Sequence, residues 1–359
     1  MTAGTPKLTW RGRIIALGLG VLLLLVIAEG TLRLAMPHWQ EFHSGWFITR
    51  TAVPGHGVVY TGRPGFDGYF SQNDGDFRIR LALNSFGLRN PEEIAAAHDR
   101  AWIVGDSMTF GWGVEREDIY STVAARLSGL ATYNIASPGT DVCGYQALLA
   151  RMPRNLYPRA VVIGLVLEND VAAYDCSATF RDQAQAGEAT DRRSIRNLTE
   201  LKVLLTRMSS LYNFVAINLK RVDFFNRVFM KVGLVSQPHL LTHNVGAGSI
   251  REETEKTAHE IRKLKDALPP KTPFAVLVMP TRFEIRDNYA LQRELRLAML
   301  AALDKSGIAA IDPAPAFISA GFAQTHFRHD GHWNAHGHFI AGEAIARWLS
   351  AVLTKSSNP

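Results

Sequence analysis

From Arg100 onward, short apolar runs alternate with stretches of helical period, and this constrains the fold more than any other feature. Residues 102–104 read as a strand, 120–130 as a helix, 132–136 as a strand, 145–155 as a helix and 160–167 as a strand apolar throughout. A continuous apolar run suits a strand covered on both faces. After a long interruption the pattern resumes with a helix at 252–267, a strand at 273–279, a helix at 289–304, a strand at 308–311 and a last helix from Asn334 to about Leu353. Strands that alternate with helices are joined by right-handed crossovers, which place helices on both faces of a parallel sheet. The expected fold is therefore α/β, a three-layer α/β/α sandwich around a parallel sheet of about five strands.

The amino terminus follows a different rule. Residues 14–36 are almost wholly apolar up to Ala28, follow Lys7, Arg11 and Arg13, and carry only Glu29 and Arg33 near their far end. A membrane-spanning helix needs about 20 residues, which this stretch supplies when Glu29 and Arg33 sit near the outer interface. Residues 1–37 thus read as an uncleaved signal anchor with its basic flank in the cytoplasm and the remaining chain exported. The competing reading is a removable signal peptide cleaved after Val26-Ile27-Ala28, giving a secreted protein. The apolar pattern continues unbroken through Leu32, Leu34 and Met36, which favours the anchor.

Residues 38–99, rich in Gly, Pro and aromatics, read as a small β-rich preface with strand-like pieces at 57–60 and 77–83. Residues 84–90 carry a turn signal and no assigned chemistry. Arg89 there is expected to form a structural salt bridge rather than an anion site. The domain at 100–359 is interrupted at about 171–250 by an insertion that opens with a polar stretch at 183–191. An apolar stripe at helical spacing follows through Leu201, Leu205, Met208, Leu211, Val215, Leu219, Val222, Phe225 and Phe229. This is a helical subdomain packed on the core, or a lid over the site.

The net charge of +6 is concentrated between Asp191 and Lys231, where Arg192, Arg193, Arg196, Lys202, Arg207, Lys220, Arg221, Arg227 and Lys231 face few acids. No nucleic-acid motif accompanies them, so no nucleic-acid partner is expected. They read as a solvated helix face first, and as a membrane-surface or polyanion-contacting face second. The only cysteines, Cys143 and Cys176, can pair in an exported domain, although sequence does not place their Cα atoms within bonding reach.

The polar residues of interest lie in four loops, each after an expected strand: Gly105-Asp106-Ser107, then Asn134-Ile135-Ala136-Ser137-Pro138-Gly139, then Glu168-Asn169-Asp170, and finally His329-Asp330-Gly331-His332-Trp333-Asn334. Each is common turn chemistry taken alone. In this order and on these elements, they resemble the SGNH/GDSL hydrolase superfamily, serine esterases and acyltransferases on a flavodoxin-like α/β/α fold. The resemblance implies Ser107 as nucleophile, Gly139 and Asn169 as oxyanion-hole donors beside the Ser107 N–H, His332 as base and Asp330 as its orienter.

Two departures matter. The family usually has three positions from Asp to His, whereas Asp330 and His332 are two apart. Followed by Trp333 and Asn334, this resembles the Asp-x-His-Trp form of exported enzymes that acetylate bacterial polysaccharides, including the alginate O-acetylation proteins. Glu168 also stands where a small residue is usual, crowding the site or adding a carboxylate.

The chemistry is coherent without the family. A serine hydroxyl needs an adjacent base at neutral pH, and imidazole suits that task. Asp330 can fix the imidazole tautomer, and preorganised N–H donors can stabilise the developing oxyanion. Asp106 is assigned no chemistry beyond bonding loop N–H groups. The histidines His326, His329, His332, His336 and His338 suggest a rival metal site, with His332 and His336 on one helix face, but no Cys- or Glu-rich segment supports it. No metal or other cofactor is expected, and His326, His336 and His338 are read as surface or helix-packing residues.

The resulting expectation is a serine esterase acting on ester-linked acyl groups, of which acetyl is the expected one, through an acyl-serine intermediate. It would be held by one pass in a bacterial inner membrane with its catalytic domain in the periplasm, on a small-molecule or polysaccharide ester. The alternatives are an O-acetyltransferase of cell-envelope polysaccharide and a catalytically silent carbohydrate-binding scaffold.

Overall fold

A computed structural model describes residues 9–72, 75–189, 204–221 and 247–356. Much of the expected apolar stripe and basic face, at 190–203 and 222–246, lies outside the described residues. The chain divides into two compact units, one of residues 44–190 and 238–359 and the other of residues 1–43 and 191–237.

The larger unit is built on a five-stranded parallel sheet. Its strands are β5 (Ala101–Gly105), β6 (Thr132–Ala136), β7 (Ala160–Val166), β8 (Phe274–Met279) and β9 (Ala309–Ile311), in the spatial order β6-β5-β7-β8-β9. This is the flavodoxin-like order, in which the direction of winding reverses between β5 and β7, and ligand crevices open at the carboxyl ends of the strands on either side of that reversal. Gly105 is in register with both Ala136 and Gly164, so the loops after β5, β6 and β7 emerge along one rim.

Alternating strand side chains bury two separate cores. Trp102, Val104, Ile135, Ile163, Leu165 and Val276 pack against helices Val142–Ala150, Ala247–Asp266 and Ala290–Lys305. On the opposite face Ile103, Val162, Ala275 and Leu277 pack against Tyr120 and Ala124 of helix Tyr120–Ser128, and against Ile340, Ala341 and Ile345 of helix Ala335–Ser356. The expected three-layer sandwich is thus the observed one.

Several boundaries move for local reasons. The helix expected at 145–155 runs from Val142 to Ala150, because the Asp141 carboxylate caps its start by accepting from Gly144 N–H at 2.9 Å, and Pro153 follows its end. The polar stretch at 183–191 is largely the end of a helix, Cys176–Ala189, that periodicity did not reveal. Cys176, which opens that helix, is disulfide-bonded to Cys143, with Cα atoms 5.1 Å apart.

Residues 44–99 belong to the same compact unit as the sheet. They form two antiparallel hairpins, β1 (Ile48–Ala52) with β2 (Val58–Gly62) and β3 (Asp67–Ser71) with β4 (Arg78–Ala82). The sequence signalled only β2 and β4, because β1 and β3 lack a clean in-out alternation. Phe47, Phe70, Phe77, Ile79 and Leu81 form a third core that includes Phe110 from the main domain.

In the smaller unit, helix α1 (Trp10–Ala35) is 26 residues long with a mean hydropathy of 2.4 in its membrane-candidate window. At 1.5 Å per residue it spans about 39 Å, enough to cross a hydrocarbon core of about 30 Å. Near its end, the Glu29 carboxylate accepts from Arg33 Nε at 2.7 Å and from the N–H groups of Ser210 and Leu211 at 3.0 and 2.9 Å. It thereby caps the start of helix Ser210–Arg221.

Candidate active site

The turn that carries Ser107 is shaped by close packing. β5 ends at Gly105, and Ser107 opens a four-residue helix, Ser107–Phe110. A Cβ on Gly105 would lie 1.9 Å from Thr109 Oγ1, and one on Gly164 2.4 Å from the same atom. Two glycines on adjacent strands therefore let the turn lie directly on the sheet, where Thr109 Oγ1 accepts from Tyr120 Oη at 2.6 Å. The Asp106 carboxylate caps the helix, accepting from Met108 N–H at 2.9 Å, as its turn position suggested.

At the other end of this turn the structure corrects the reading of Arg89. Its guanidinium is buried and forms no salt bridge among the described residues; it donates to the carbonyls of Gly111 at 2.6 Å and Val114 at 2.7 Å, with a longer contact to Phe110. Burial lowers its pKa to about 10. Asn90 beside it bonds both the N–H and the carbonyl of Asn134 on β6, at 2.9 and 2.8 Å. Arg89 and Asn90, given no chemistry in the sequence, thus brace the end of the Ser107 turn and strand β6.

The loop from His329 to Asn334 brings the remaining expected residues to Ser107. Ser107 Oγ lies 2.8 Å from His332 Nε2. His332 Nδ1 makes a short bond to Asp330 Oδ1, which also accepts from the His332 backbone N–H at 2.9 Å. An acceptor at Nδ1 places the proton there and leaves Nε2 free to accept from the serine hydroxyl. Burial raises the Asp330 pKa, but the bonds and charge of His332 and a bond from Gln72 outweigh it, holding the carboxylate to about 2. It stays ionised at neutral pH.

The two-residue spacing of Asp330 and His332 therefore closes a compact ring of bonds. The Trp112 indole stacks over the His332 imidazole, with ring centroids 5.4 Å apart and planes 23° from parallel. Helix Ala335–Ser356 begins after His332, so His332 and His336 do not share a helix face. His326 and His338 are buried packing residues, and burial lowers their pKa values to about 4 and about 3.

The two other expected donors lie on the same rim. Gly139 follows β6 with φ +77°, a conformation that favours glycine, and is exposed. Asn169 follows β7 and is exposed, and its side chain favours the charged form of the nearby Asp106 carboxylate. Asp170 turns inward, where Oδ2 accepts from Tyr145 Oη at 2.6 Å and Val166 N–H at 2.8 Å. Burial, with the nearby Asp106 charge, raises its pKa well above the usual carboxylate range.

Glu168 adds a carboxylate beside His332, tied to Arg282 rather than free. Its Oε1 accepts from Arg282 N–H at 2.6 Å, and its Oε2 lies 3.3 Å from Arg282 Nε. Burial nevertheless raises its pKa. The same guanidinium lies where a Cβ on Gly331 would sit, 2.1 Å from Nη1. Arg282 thus links the Asn169 loop to the His332 loop. Sequence reasoning missed Gln72, Trp112 and Arg282 and misread Arg89; only Trp112, five residues from Ser107, had a local cue.

No protein-family model matches the chain, and no curated protein matches it. Among solved structures, it is similar to an alpha/beta hydrolase enzyme from the metagenome of Lake Arreo, Spain, at 14% identity over 71% of this chain and 97% of that one, with a TM-score of 0.40. It is also similar to a member of the lipolytic G-D-S-L family from Veillonella parvula, at 11% identity over 69% and 96%, with a TM-score of 0.38. A catalytic mutant of an acetylxylan esterase from Geobacillus stearothermophilus matches at 12% identity over 70% and 94%, with a TM-score of 0.40. At this depth the neighbours carry no argument about activity; the likeness to SGNH/GDSL hydrolases rests on four sequence blocks at one rim of a flavodoxin-like sheet.

Proposed function

We propose that this protein is a serine hydrolase of carboxylic esters, with Ser107 as nucleophile, His332 as general base and acid, and Asp330 as the group that orients His332. The observation that carries the reading is the unbroken chain of bonds from Ser107 Oγ through His332 to Asp330. As Ser107 Oγ attacks the acyl carbon, its proton passes to His332 Nε2, and the imidazolium is stabilised by the ionised Asp330. The carbonyl oxygen becomes an oxyanion, for which the N–H groups of Ser107 and Gly139 and the Asn169 amide are the candidate donors. Collapse expels the alcohol, which takes the proton back from His332. Water then repeats the sequence on the acyl-serine and releases the acid.

The acyl group is proposed to be small, of the acetyl class, and the substrate an ester on a carbohydrate of the cell envelope. The apolar α1 helix supports placement at a membrane with the larger unit exported, and the Cys143–Cys176 bond suits an oxidising compartment. Transfer of the acyl group to a sugar hydroxyl uses the same intermediate with a different acceptor.

The test is turnover of a chromogenic acetyl ester and labelling by a serine-directed fluorophosphonate. Wild-type protein should show both and Ser107→Ala neither; equal turnover and labelling in the two would end this reading. Product analysis with and without a glycan acceptor separates hydrolysis from transfer.

A further inference from the structure

The tip of the β3–β4 hairpin reaches the loop that holds Asp330 and His332, and the hydrolase reading leaves this contact without a role. Gln72 Nε2 donates to Asp330 Oδ2 at 2.5 Å. The Asp76 carboxylate accepts from the backbone N–H and Nδ1 of His329, both at 2.8 Å. Phe77 packs on Phe327 with ring centroids 5.2 Å apart. Three side chains of one turn therefore grip three positions of one loop that contains neither helix nor regular strand across 327–332.

Resting on the hydrolase reading, we propose that Gln72 is a positioning residue of this site: its amide holds the second oxygen of Asp330 so that the first faces Nδ1 of His332. Oδ1 already takes two bonds from His332, and the Asp330 side chain is only 10% exposed. Without Gln72, Oδ2 would be a desolvated charged oxygen with no partner, and the carboxylate could regain water only by turning away from His332.

A neutral donor is the appropriate chemistry here. A lysine would offset the charge that stabilises the imidazolium, and a carboxylate would repel Asp330. The amide also draws charge from Oδ1, so it tempers the proton affinity of the Asp330–His332 pair. The other titratable groups facing His332 are Asp106 from the turn after β5, Glu168 and the buried imidazoles of His326 and His338, with Arg282 against Gly331 and the Asp76–His329 pair beside it.

The experiment uses the full chain in nanodiscs, with Gln72→Met, which keeps shape without the donor, and Gln72→Glu. Two readouts are taken, with thermal melts to verify folding. One is titration of His332 by NMR with labelled histidine, assigned by loss of the signal in His332→Asn. The other is ester turnover against pH. Q72M should raise the His332 midpoint and lower kcat about 5- to 10-fold, in the range of one hydrogen bond, with KM little changed. Q72E should lose most at high pH and regain ground as pH falls, because a protonated glutamate can again donate to Asp330.

A His332 midpoint unmoved in Q72M, with rate losses in both variants that do not vary with pH, would overturn the proposal. Should Q72M not fold, Q72E carries the same two measurements. The NMR titration needs no substrate, so it decides the Gln72 role even if Ser107→Ala shows the hydrolase reading to be wrong.

Discussion

The turn that carries Ser107 and the loop that carries His332 meet at 2.8 Å, yet they are held in different ways. The Ser107 turn is clamped mainly over a few residues by Gly105, Asp106 and Thr109, with Arg89 bracing its end and Gly164 beneath it, against a sheet whose rim the strand register sets. The His332 loop has a local ring of bonds from Asp330 but owes its place to Gln72, Asp76 and Arg282, as many as 258 residues away in sequence. A serine on a tight turn after a strand can be placed by local sequence, whereas a histidine on an irregular loop needs tertiary support. One half of the site should therefore fail through folding, the other through alignment.

The largest effect tests whether the halves form one unit. His332→Ala should lower kcat on the order of 10⁴- to 10⁶-fold, and adding Ser107→Ala should cost almost nothing more, since residues acting as a unit are non-additive. Losses that multiply would break the unit. Next, Asn169→Ala should lower kcat about 10²- to 10³-fold if its amide stabilises the oxyanion, with KM for a small ester nearly unchanged; a change confined to KM would remove Asn169 from that role.

Two substitutions then separate the halves. Gly105→Ala places a methyl group 1.9 Å from Thr109 Oγ1 and should destabilise the fold by about 1–3 kcal/mol as an overpacked core, with partial recovery on adding Thr109→Ala. Asp76→Ala should lower turnover several-fold, about 1 kcal/mol for lost hydrogen bonds, while leaving the melting temperature within a few degrees. Equal melting losses in both variants would erase the distinction.

The smallest effect at near-neutral pH concerns the packing around the His332 loop. His326 and His338 are held by burial to about 4 and about 3, and His338 Nδ1 accepts from Tyr120 N–H at 3.3 Å, which needs the neutral ring. Well above the ordinary histidine pKa of about 6.5 neither state binds protons there. As pH falls from there towards 4, the unfolded chain binds protons that the folded chain refuses, so stability drops by up to about 1.4 kcal/mol per pH unit per histidine. Denaturant melts from pH 7 to 5 should show the slope, and His338→Gln should flatten it; an unchanged slope in that variant would exclude His338 as the source.

What was readable in the sequence follows the same division. Gly105-Asp106-Ser107 and Asp330-Gly331-His332 are short, and their geometry depends on neighbours in the chain. Arg89 was misread because its partners are carbonyls of another loop, which leave no trace in composition. Glu168 was recognised as unusual, but its partner Arg282 lies 114 residues further on. The helix Cys176–Ala189 was missed because its outward residues are polar and its disulfide supplies an anchor that periodicity does not report.

By itself the sequence determined the alternation of strand and helix, the apolar α1, the turn that presents Ser107 and the acid-base spacing of Asp330 and His332, because each depends on contacts within one element or turn. Only the tertiary structure decided the strand order β6-β5-β7-β8-β9, the pairing of Cys143 with Cys176, and the placement of Gln72, Arg89, Trp112 and Arg282 around the site. Those outcomes depend on which distant surfaces exclude water from one another and which buried polar groups find partners there, and chain-local preference does not specify either.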